Sequence, residues 1–347
     1  MKTESQFPET LRDAITYFAD ADNAHNFMTA IRWPDGKVSC PRCNSTDTVY
    51  MAERRLYRCR SCQKQSSVKI GTIFEESPLG LDKWLPAFWM ICNAKNGISS
   101  CELARALGVT QKTAWFMLHR IRLALRDGSI GKLSGEVEVD ETYVGGSKHK
   151  MNANQRRRAP RGSGAIGKAV VMGLLERKGR VIATAIPNPR RRTLTAEVHK
   201  HVEPGSAVYT DALASYDKLH SHYAHEEINH AVCYVKDRVH TNGLENFWSL
   251  LKRTIRGTYV SVEPFHLFRY LDEQAFRFNE RKNTDAGRFL IGIVGVIGKR
   301  LKYAKLISEA GSHESTTAGT GEAPKEIRKR HMKHKPFGGF GWTPLPA

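Results

Sequence analysis

What this chain lacks narrows its class before any motif is read. No apolar run approaches the roughly 20 residues that a membrane-spanning helix needs. The opening stretch MKTESQFPETLRD is too polar for the apolar segment of a secretory leader. Both absences predict a soluble protein of the cytoplasm. Acid is scarce as well: 35 Asp and Glu residues face 54 Lys and Arg, leaving a formal net charge of +19. Such an excess predicts a polyanionic partner. Nucleic acid leads, because neutralising phosphates releases counterions and gives strong, salt-dependent binding. An anionic membrane could use the same charge, but the apolar anchor is missing. Nor does cysteine come in the even set that staples a small secreted domain: of seven, four form two close pairs, while Cys92, Cys101 and Cys233 stand apart. That usage suits metal binding in a reducing compartment. No internal repeat is visible, and 347 residues exceed one small domain, so two or three units with their own cores are expected.

Apolar positions at mixed three and four spacing predict short helices within an N-terminal helical segment over residues 1–32. Residues 33–70 are dominated by cysteine, glycine and basic residues, with strand-like pieces TVYMA and RLYRC, and predict a small metal-centred module. Over 78–130 the pattern is helical: LDKWLPAFWMICNAKNG, SSCELARALGV and TQKTAWFMLHRIRLAL. Beyond residue 134 the period becomes two. GEVEVDETYVGG reads as a strand, AIGKAVVMGLLERKGRVIATAIPN as a hairpin turning at Lys178 and Gly179, and AVYTDAL as a short buried strand ending in Asp211. Helical segments follow, so residues 134–304 predict an α/β domain with a mixed sheet. Two stretches predict no fixed structure: the loop SKHKMNANQRRRAPRGSG, with six Lys or Arg and no acid, and the tail over 305–347.

The cysteine pairs are Cys40-Pro-Arg-Cys43 and Cys59-Arg-Ser-Cys62, with fifteen residues between Cys43 and Cys59. That is zinc-ribbon spacing, in which two knuckles deliver four thiolates to one tetrahedral ion. A closed four-cysteine site keeps no position open for substrate, so its zinc is architectural. The two helical stretches that follow read as a helix-turn-helix. Ser99 or Ser100 caps the first helix, Gly108 lets the chain turn, and Thr110 caps the second. In that second helix Ala114, Met117, Leu118, Ile121 and Leu125 form an apolar stripe, and Lys112, Trp115, His119 and Arg122 lie opposite. Gln111, Lys112, Trp115 and Arg122 are therefore the candidates for groove or phosphate contact, with Trp115 alternatively packed on the zinc module.

Three acids stand at promising places. Asp140 ends one strand, Asp211 ends another, and Glu245 lies 34 positions later (245 − 211) near a helix start. Strand ends and helix starts meet at one edge of an α/β sheet. Carboxylates brought together raise one another's pKa unless a cation intervenes, and oxygen-only ligands favour Mg²⁺ or Mn²⁺. Two such ions can activate water or a 3′ hydroxyl in phosphodiester displacement. Thr241 or Asn242 can cap the helix carrying Glu245. Lys252 and Arg256, seven and eleven positions on, fall near its stripe, with Arg253 beside them, and supply cations for DNA phosphates. Glu138 shares a strand face with Asp140 whereas Glu141 points oppositely, so Glu138 is the better auxiliary acid, or a neighbour without function. His220, His222, His225 and His230 are spaced too irregularly for a compact zinc site. Tyr143, Tyr209 and Tyr216 lie near the acids, but the Arg and His set of a tyrosine recombinase cannot be assembled around them.

VEVDETYVGG, VYTDALASYD, HTNGLENFWSLLKRTIRGTY and FRYLDEQAFRFNER resemble the catalytic core of DDE insertion-sequence transposases, specifically the zinc-ribbon bacterial group related to Merlin elements. The resemblance covers roughly residues 30 to 300. It implies an RNase H-like fold, two-metal cleavage at transposon ends, strand transfer into target DNA, and a homo-oligomer that handles two ends together. Asp140, Asp211 and Glu245 match the acidic triad, and Lys252 the basic residue that follows it. Asn242, one helical turn before Glu245, is the other claimant to the third position; an anionic ligand holds a hard cation better than an amide, which favours Glu245. The competing readings are a non-catalytic DNA-binding regulator derived from such an enzyme and a structure-selective nuclease of the same fold.

Overall fold

The computed structural model describes residues 7–126, 131–145, 168–211, 216, 219–228 and 240–308. The basic loop and the tail from residue 309 onward lie outside the described residues, as do His230 and Cys233.

The chain opens with two capped helices. At α1 (Leu11–Ala19) the Thr10 hydroxyl accepts from the Asp13 N–H while the Asp13 carboxylate accepts from the Thr10 N–H, and Asp20 caps α2 (Ala21–Arg32). The ribbon strands β1 (Thr48–Met51), β2 (Leu56–Cys59) and β3 (Gln65–Ser66) form an antiparallel sheet in that order. It is seated on α2, where the Tyr57 hydroxyl meets His25 and Thr29 at 3.2 and 3.0 Å. Three more helices follow: α3 (Leu81–Asn93), α4 (Ser100–Leu107) and α5 (Gln111–Leu125). Ser99 caps α4 in a capping box with Glu102, Gly108 ends it at φ 62°, and Thr110 caps α5, so the turn between them follows the local chemistry read from sequence.

Strands β4 (Glu136–Val144), β5 (Ala169–Glu176), β6 (Val181–Ile186), β7 (Ala207–Asp211) and β8 (Ala224–Ile228) form a mixed sheet of order β6-β5-β4-β7-β8. β5 is antiparallel to β4 and β6, whereas β7 runs parallel to β4 and β8. Numbered along the chain this is 3-2-1-4-5, the arrangement of an RNase H-like fold. Alternation divides the side chains between two faces. Val137, Val139, Met172 and Leu174 pack under α6 (Arg191–His201) through Leu194 and Val198. Val171 and Leu175 pack under α7 (Asn242–Thr254) and α8 (Leu267–Asn279) through Leu244, Phe247, Leu251, Leu267 and Leu271. The region holding β8 reads from sequence as an amphipathic or loop segment. Its AHEEI lacks an apolar alternation because, among the described residues, the strand lies at the sheet edge and pairs with β7 alone.

α9 (Asp285–Val294) and α10 (Tyr303–Ile307) complete the fold. Residues 285–301, read from sequence as the close of the α/β domain, lie in the helical core: Phe289 and Ile293 join Phe18, Met28, Trp84, Phe88, Trp89 and Ile121 in one apolar cluster. The Ile73 N–H donates to the Val296 carbonyl and the Gly298 N–H to that of Gly71. No helix among the described residues is long and apolar enough to cross a membrane.

Candidate active site and nucleic-acid interface

Strand register brings the first two acids together. β4 and β7 pair in parallel from Glu136↔Ala207 to Glu138↔Tyr209, a constant offset of 71 (207 − 136). The same offset carried two residues further sets Asp211 opposite Asp140 (140 + 71). Opposed residues of neighbouring strands project from the same face, so both carboxylates leave one side of the sheet, Asp211 from the C-terminal end of β7 and Asp140 from the middle of β4, which continues to Val144 rather than ending at Asp140 as the sequence suggested. α7 crosses that side with exposed Glu245 in its first turn. Burial pushes the Asp140 carboxyl up to about 6, and the charges of Asp211 and Glu245 add to the rise. Three oxygen donors that repel one another form the donor set a hard divalent cation neutralises.

Asp140 is held at both oxygens. The Glu141 N–H donates to Oδ1 at 2.8 Å and the Trp248 indole N–H to Oδ2 at 2.9 Å. The buried indole lies against Gly173, the antiparallel partner of Asp140; a Cβ there would stand 2.6 Å from a ring carbon. Sequence reasoning missed Trp248, although it follows Glu245 by three positions and so falls on a neighbouring part of the same helix surface.

Of the two readings of Glu138, an auxiliary acid or a neighbour without catalytic function, the structure supports the second: it is 1% exposed and its carboxylate is occupied. It accepts from the Leu244 N–H at 3.0 Å and from Arg177 at 3.3 Å, and it faces His240 Nδ1 at 3.3 Å. It thereby satisfies the start of α7, where neither Thr241 nor Asn242 supplies a capping side chain. Gly243 permits this approach, since a Cβ would collide with Leu175 and lie 2.7 Å from Glu138 Oε2. Glu141 does project from the other face, where the Tyr216 hydroxyl donates to it. Even so, burial raises its carboxyl to about 8, with Asp140 and Asp211 contributing. Pairing between β4 and β7 stops at Glu138, so beyond it that edge is open and Asp211 influences both faces.

In the ribbon, Cys40 and Cys62 sulfurs lie 3.6 Å apart and those of Cys43 and Cys59 3.5 Å. A tetrahedron with metal–sulfur bonds of about 2.3 Å has edges of about 3.8 Å, whereas a disulfide needs about 2.05 Å. After each knuckle one residue, Asn44 or Gln63, turns through φ 58°. Backbone N–H groups within the knuckles lower the Cys40 thiol and bring that of Cys59 down to about 6, whereas the neighbouring thiols and burial push that of Cys43 up to about 12, as expected where four thiols crowd together and only a cation lets all of them ionise. The donor set fits one structural zinc ion. Among the described residues it alone draws three or more donor atoms all within 4.8 Å of one another, so the carboxylate triad is more widely spread.

The helix-turn-helix departs from expectation on the outer face of α5. Arg122, expected to reach DNA, is 1% exposed and donates to Glu273 of α8 at 2.7 Å, with its guanidinium 3.9 Å from the Tyr270 ring centre. An internal acid has claimed this cation, which corrects its assignment to a DNA surface. Trp115 is half-buried against His119 and His266, at 4.4 and 5.4 Å between ring centres, rather than on the zinc module. Gln111 and Lys112 remain exposed in the first turn of α5. Arg253 and Arg256 are exposed and Lys252 half-exposed along and beyond α7, although from Ile255 to Tyr259 the helix widens into a π-turn that shifts Arg256 off the α-helical stripe.

Most of the remaining candidates have structural partners. His225 pairs with Thr210 at 2.9 Å and His220 at 3.2 Å, while the His222 ring meets that of His199 edge-on, 4.9 Å between ring centres. Tyr209 donates to Glu136 at 3.2 Å, and Tyr143 is exposed.

An RNase H-like sheet with acids on its first and fourth strands and on the helix behind them is the framework of DDE-type, DNA-processing proteins. Comparison with known proteins narrows the class. A family model of the ISXO2-like transposase domain matches residues 132–279, and one of the transposase zinc-ribbon domain matches residues 19–65. An uncharacterised protein in the transposable element ISH50 of Halobacterium salinarum is 30% identical over 255 residues, 69% of this chain and 84% of the relative. An uncharacterised transposase-like protein of Haemophilus influenzae is 35% identical over 103 residues, 29% of this chain and 83% of the relative. The chain belongs to the ISXO2-like DDE transposases with a zinc ribbon, and it is a DNA-binding protein of that family.

Proposed function

We propose that this transposase binds the ends of its insertion sequence, cleaves DNA strands there and joins the 3′ ends to target DNA. The observation that supports the reading best is the β4–β7 register, which runs to Glu138↔Tyr209 and two residues further on would set Asp211 across from Asp140, with both Asp211 and Glu245 near enough for their charges to act on Asp140. Asp140, Asp211 and Glu245 would hold Mg²⁺ or Mn²⁺, and their spread leaves room for two ions. When bound, such ions favour deprotonation of the attacking water or 3′ hydroxyl and stabilise the leaving oxygen. The protein's own part is positioning. Lys252, Arg253 and Arg256 engage phosphates beside the acids, while Gln111 and Lys112 meet the terminal DNA through the first turn of α5, the part of a recognition helix that reaches base edges. Glu245 rather than Asn242 is the third ligand, because it adds negative charge where a cation must be held. Ribbon and helix-turn-helix, residues 33–70 and 78–130, then serve end recognition, and the part of residues 134–304 that forms the mixed sheet and its covering helices serves catalysis, while residues 285–301 complete the helical core. Two ends must be processed together, so the working form is a homo-oligomer assembled on DNA at the nucleoid, in the cytoplasm.

The test is cleavage and joining of a labelled fragment carrying the native element end, with Mg²⁺ or Mn²⁺. Asp140→Asn, Asp211→Asn and Glu245→Gln should each abolish cleavage and preserve end binding, whereas Asn242→Ala should still cleave. Tight binding without cleavage of even a pre-nicked end would make the protein a regulator. Cleavage without joining would make it a nuclease.

A further inference from the structure

We propose that Trp248 and Gly173 form a positioning device that fixes the Asp140 carboxylate for metal binding; this rests on the reading of Asp140 as a metal ligand given above. A carboxylate has about four lone-pair directions. Two are taken here, one on each oxygen, by the Glu141 N–H at 2.8 Å and the Trp248 indole N–H at 2.9 Å. One direction per oxygen is left for a cation, and rotation of the group about its bond to Cβ is blocked from both sides. Without the second donor the carboxylate would be free to swing away from Asp211, which repels it. The indole suits the task because it only donates and is rigid. It is also caged: Trp248 is 4% exposed among Leu244, Phe247 and Leu251, and its ring lies over Gly173. A Cβ at Gly173 would stand 2.6 and 2.7 Å from two indole carbons and 2.9 Å from Leu244, so only glycine leaves the slot open. Because Gly173 is paired with Asp140 in the β4–β5 ladder, ring, slot and carboxylate share one rung. Groups that orient a metal ligand through its second hydrogen bond typically contribute about 10- to 100-fold in metal affinity or activity.

The experiment uses the full-length, zinc-loaded protein and follows free Mn²⁺ by electron paramagnetic resonance as it is titrated, a readout independent of cleavage. Trp248→Phe keeps a ring in the slot but removes the donor, and should weaken Mn²⁺ binding by about 10-fold or more. Its thermal midpoint and DNA-end binding should stay close to wild type, and excess Mn²⁺ should restore cleavage. Gly173→Ala keeps the donor but displaces the ring, and should weaken Mn²⁺ binding similarly. The double variant should be no worse than the weaker single one, because both lesions break one contact. Asp140→Asn is the control, losing Mn²⁺ binding beyond rescue. If Asp140→Asn loses the ion but Trp248→Phe binds it within twofold of wild type, the positioning role is wrong and the site reading stands. If Asp140→Asn itself binds Mn²⁺ normally, the site reading falls and the positioning role with it. Additive losses in the double variant would also overturn the shared-contact argument.

Discussion

Glu273→Gln should be among the most damaging single changes in this protein, although it touches neither zinc nor the acidic triad. Glu273 is fully buried between two cations: Arg122 of α5, 1% exposed and 2.7 Å away, and Arg277 one turn further along α8, which also bonds to it. The Tyr259 hydroxyl donates to the same carboxylate at 2.5 Å. Burial alone would raise the carboxyl, but Arg277 and Arg122 together hold it below the ordinary Glu range. Two positive and one negative charge leave the cluster with one net positive charge. Neutralising Glu273 leaves two cations buried side by side, and loss of a buried partner of this kind costs about 3–5 kcal/mol. Arg122→Met does less, since the Glu273–Arg277 pair survives as a neutral unit and the loss is mainly the contact of the guanidinium with Tyr270 at 3.9 Å, worth about 1–2 kcal/mol. The expected order is thus Glu273→Gln well above Arg122→Met, by about 2 kcal/mol. Urea unfolding followed by circular dichroism measures both. The acid limb supplies a second reading: a depressed folded pKa gives stability that is present above the unfolded value, near 4.3, and is lost as pH falls through the lower folded value. Wild type should show that loss and Glu273→Gln should not. Equal, small costs for the two variants would mean that water reaches the cluster and that the helices are joined by packing alone.

Three further outcomes are expected. Arg122→Met should leave the salt slope of end binding unchanged, whereas Lys112→Ala should lower it by about 1, measured from binding isotherms across ionic strength. Chelation, or Cys59→Ser, should release one zinc per chain by elemental analysis and abolish end binding, because Tyr57, the anchor of the ribbon on α2, belongs to the strand that ends in Cys59. In metal-free protein, Asp140 and Glu141 are raised to about 6 and about 8, so the folded state holds more protons than the unfolded one above about pH 4. Stability should therefore fall as pH rises from about 4 to 8, by up to about 1.4 kcal/mol per pH unit for each group, and Mg²⁺ or Asp140→Asn should flatten the slope in urea midpoints taken at several pH values.

The parts that were legible in the sequence are those whose causes are local. Alternation in EVEVD is enough to divide Val137 and Val139 from Glu138 and Asp140, and the knuckle spacing of Cys40, Cys43, Cys59 and Cys62 is nearly a geometry in itself. Ser99, Gly108 and Thr110 act within one turn of where they stand. Arg122 is not legible in the sequence because its fate depends on Glu273, 151 positions away. On a helix wheel a cation facing an unseen acid looks like a cation facing water. The two readings of Glu138 stay open in the sequence for the same reason: a strand residue on the catalytic face can point at solvent or at the first turn of a helix over 100 positions later, and only the packed structure distinguishes them. α6 announces itself with little more than Leu194 and Val198, one turn apart, which is all a helix covering one sheet face needs to bury.

The long-range contacts that hid these residues also bear on how the molecule works. A helix-turn-helix on a flexible tether would read DNA independently of the active site. Here α5 has no free face along most of its length: Leu118 and Ile121 enter the helical core on one side, while His119 and Arg122 are buried against the α8 region on the other. Only its first turn, with Gln111 and Lys112, is open to a partner. α8 in turn lies on the same sheet face as α7, through Leu267 and Leu271, and α7 carries Glu245 and Trp248. On the proposed function, the spacing between the recognised DNA and the scissile phosphate is therefore fixed by buried side chains rather than by a linker. The charged cluster at Arg122, Glu273 and Arg277 is the joint in that ruler, and loosening it should scatter the cleavage position before it abolishes cleavage.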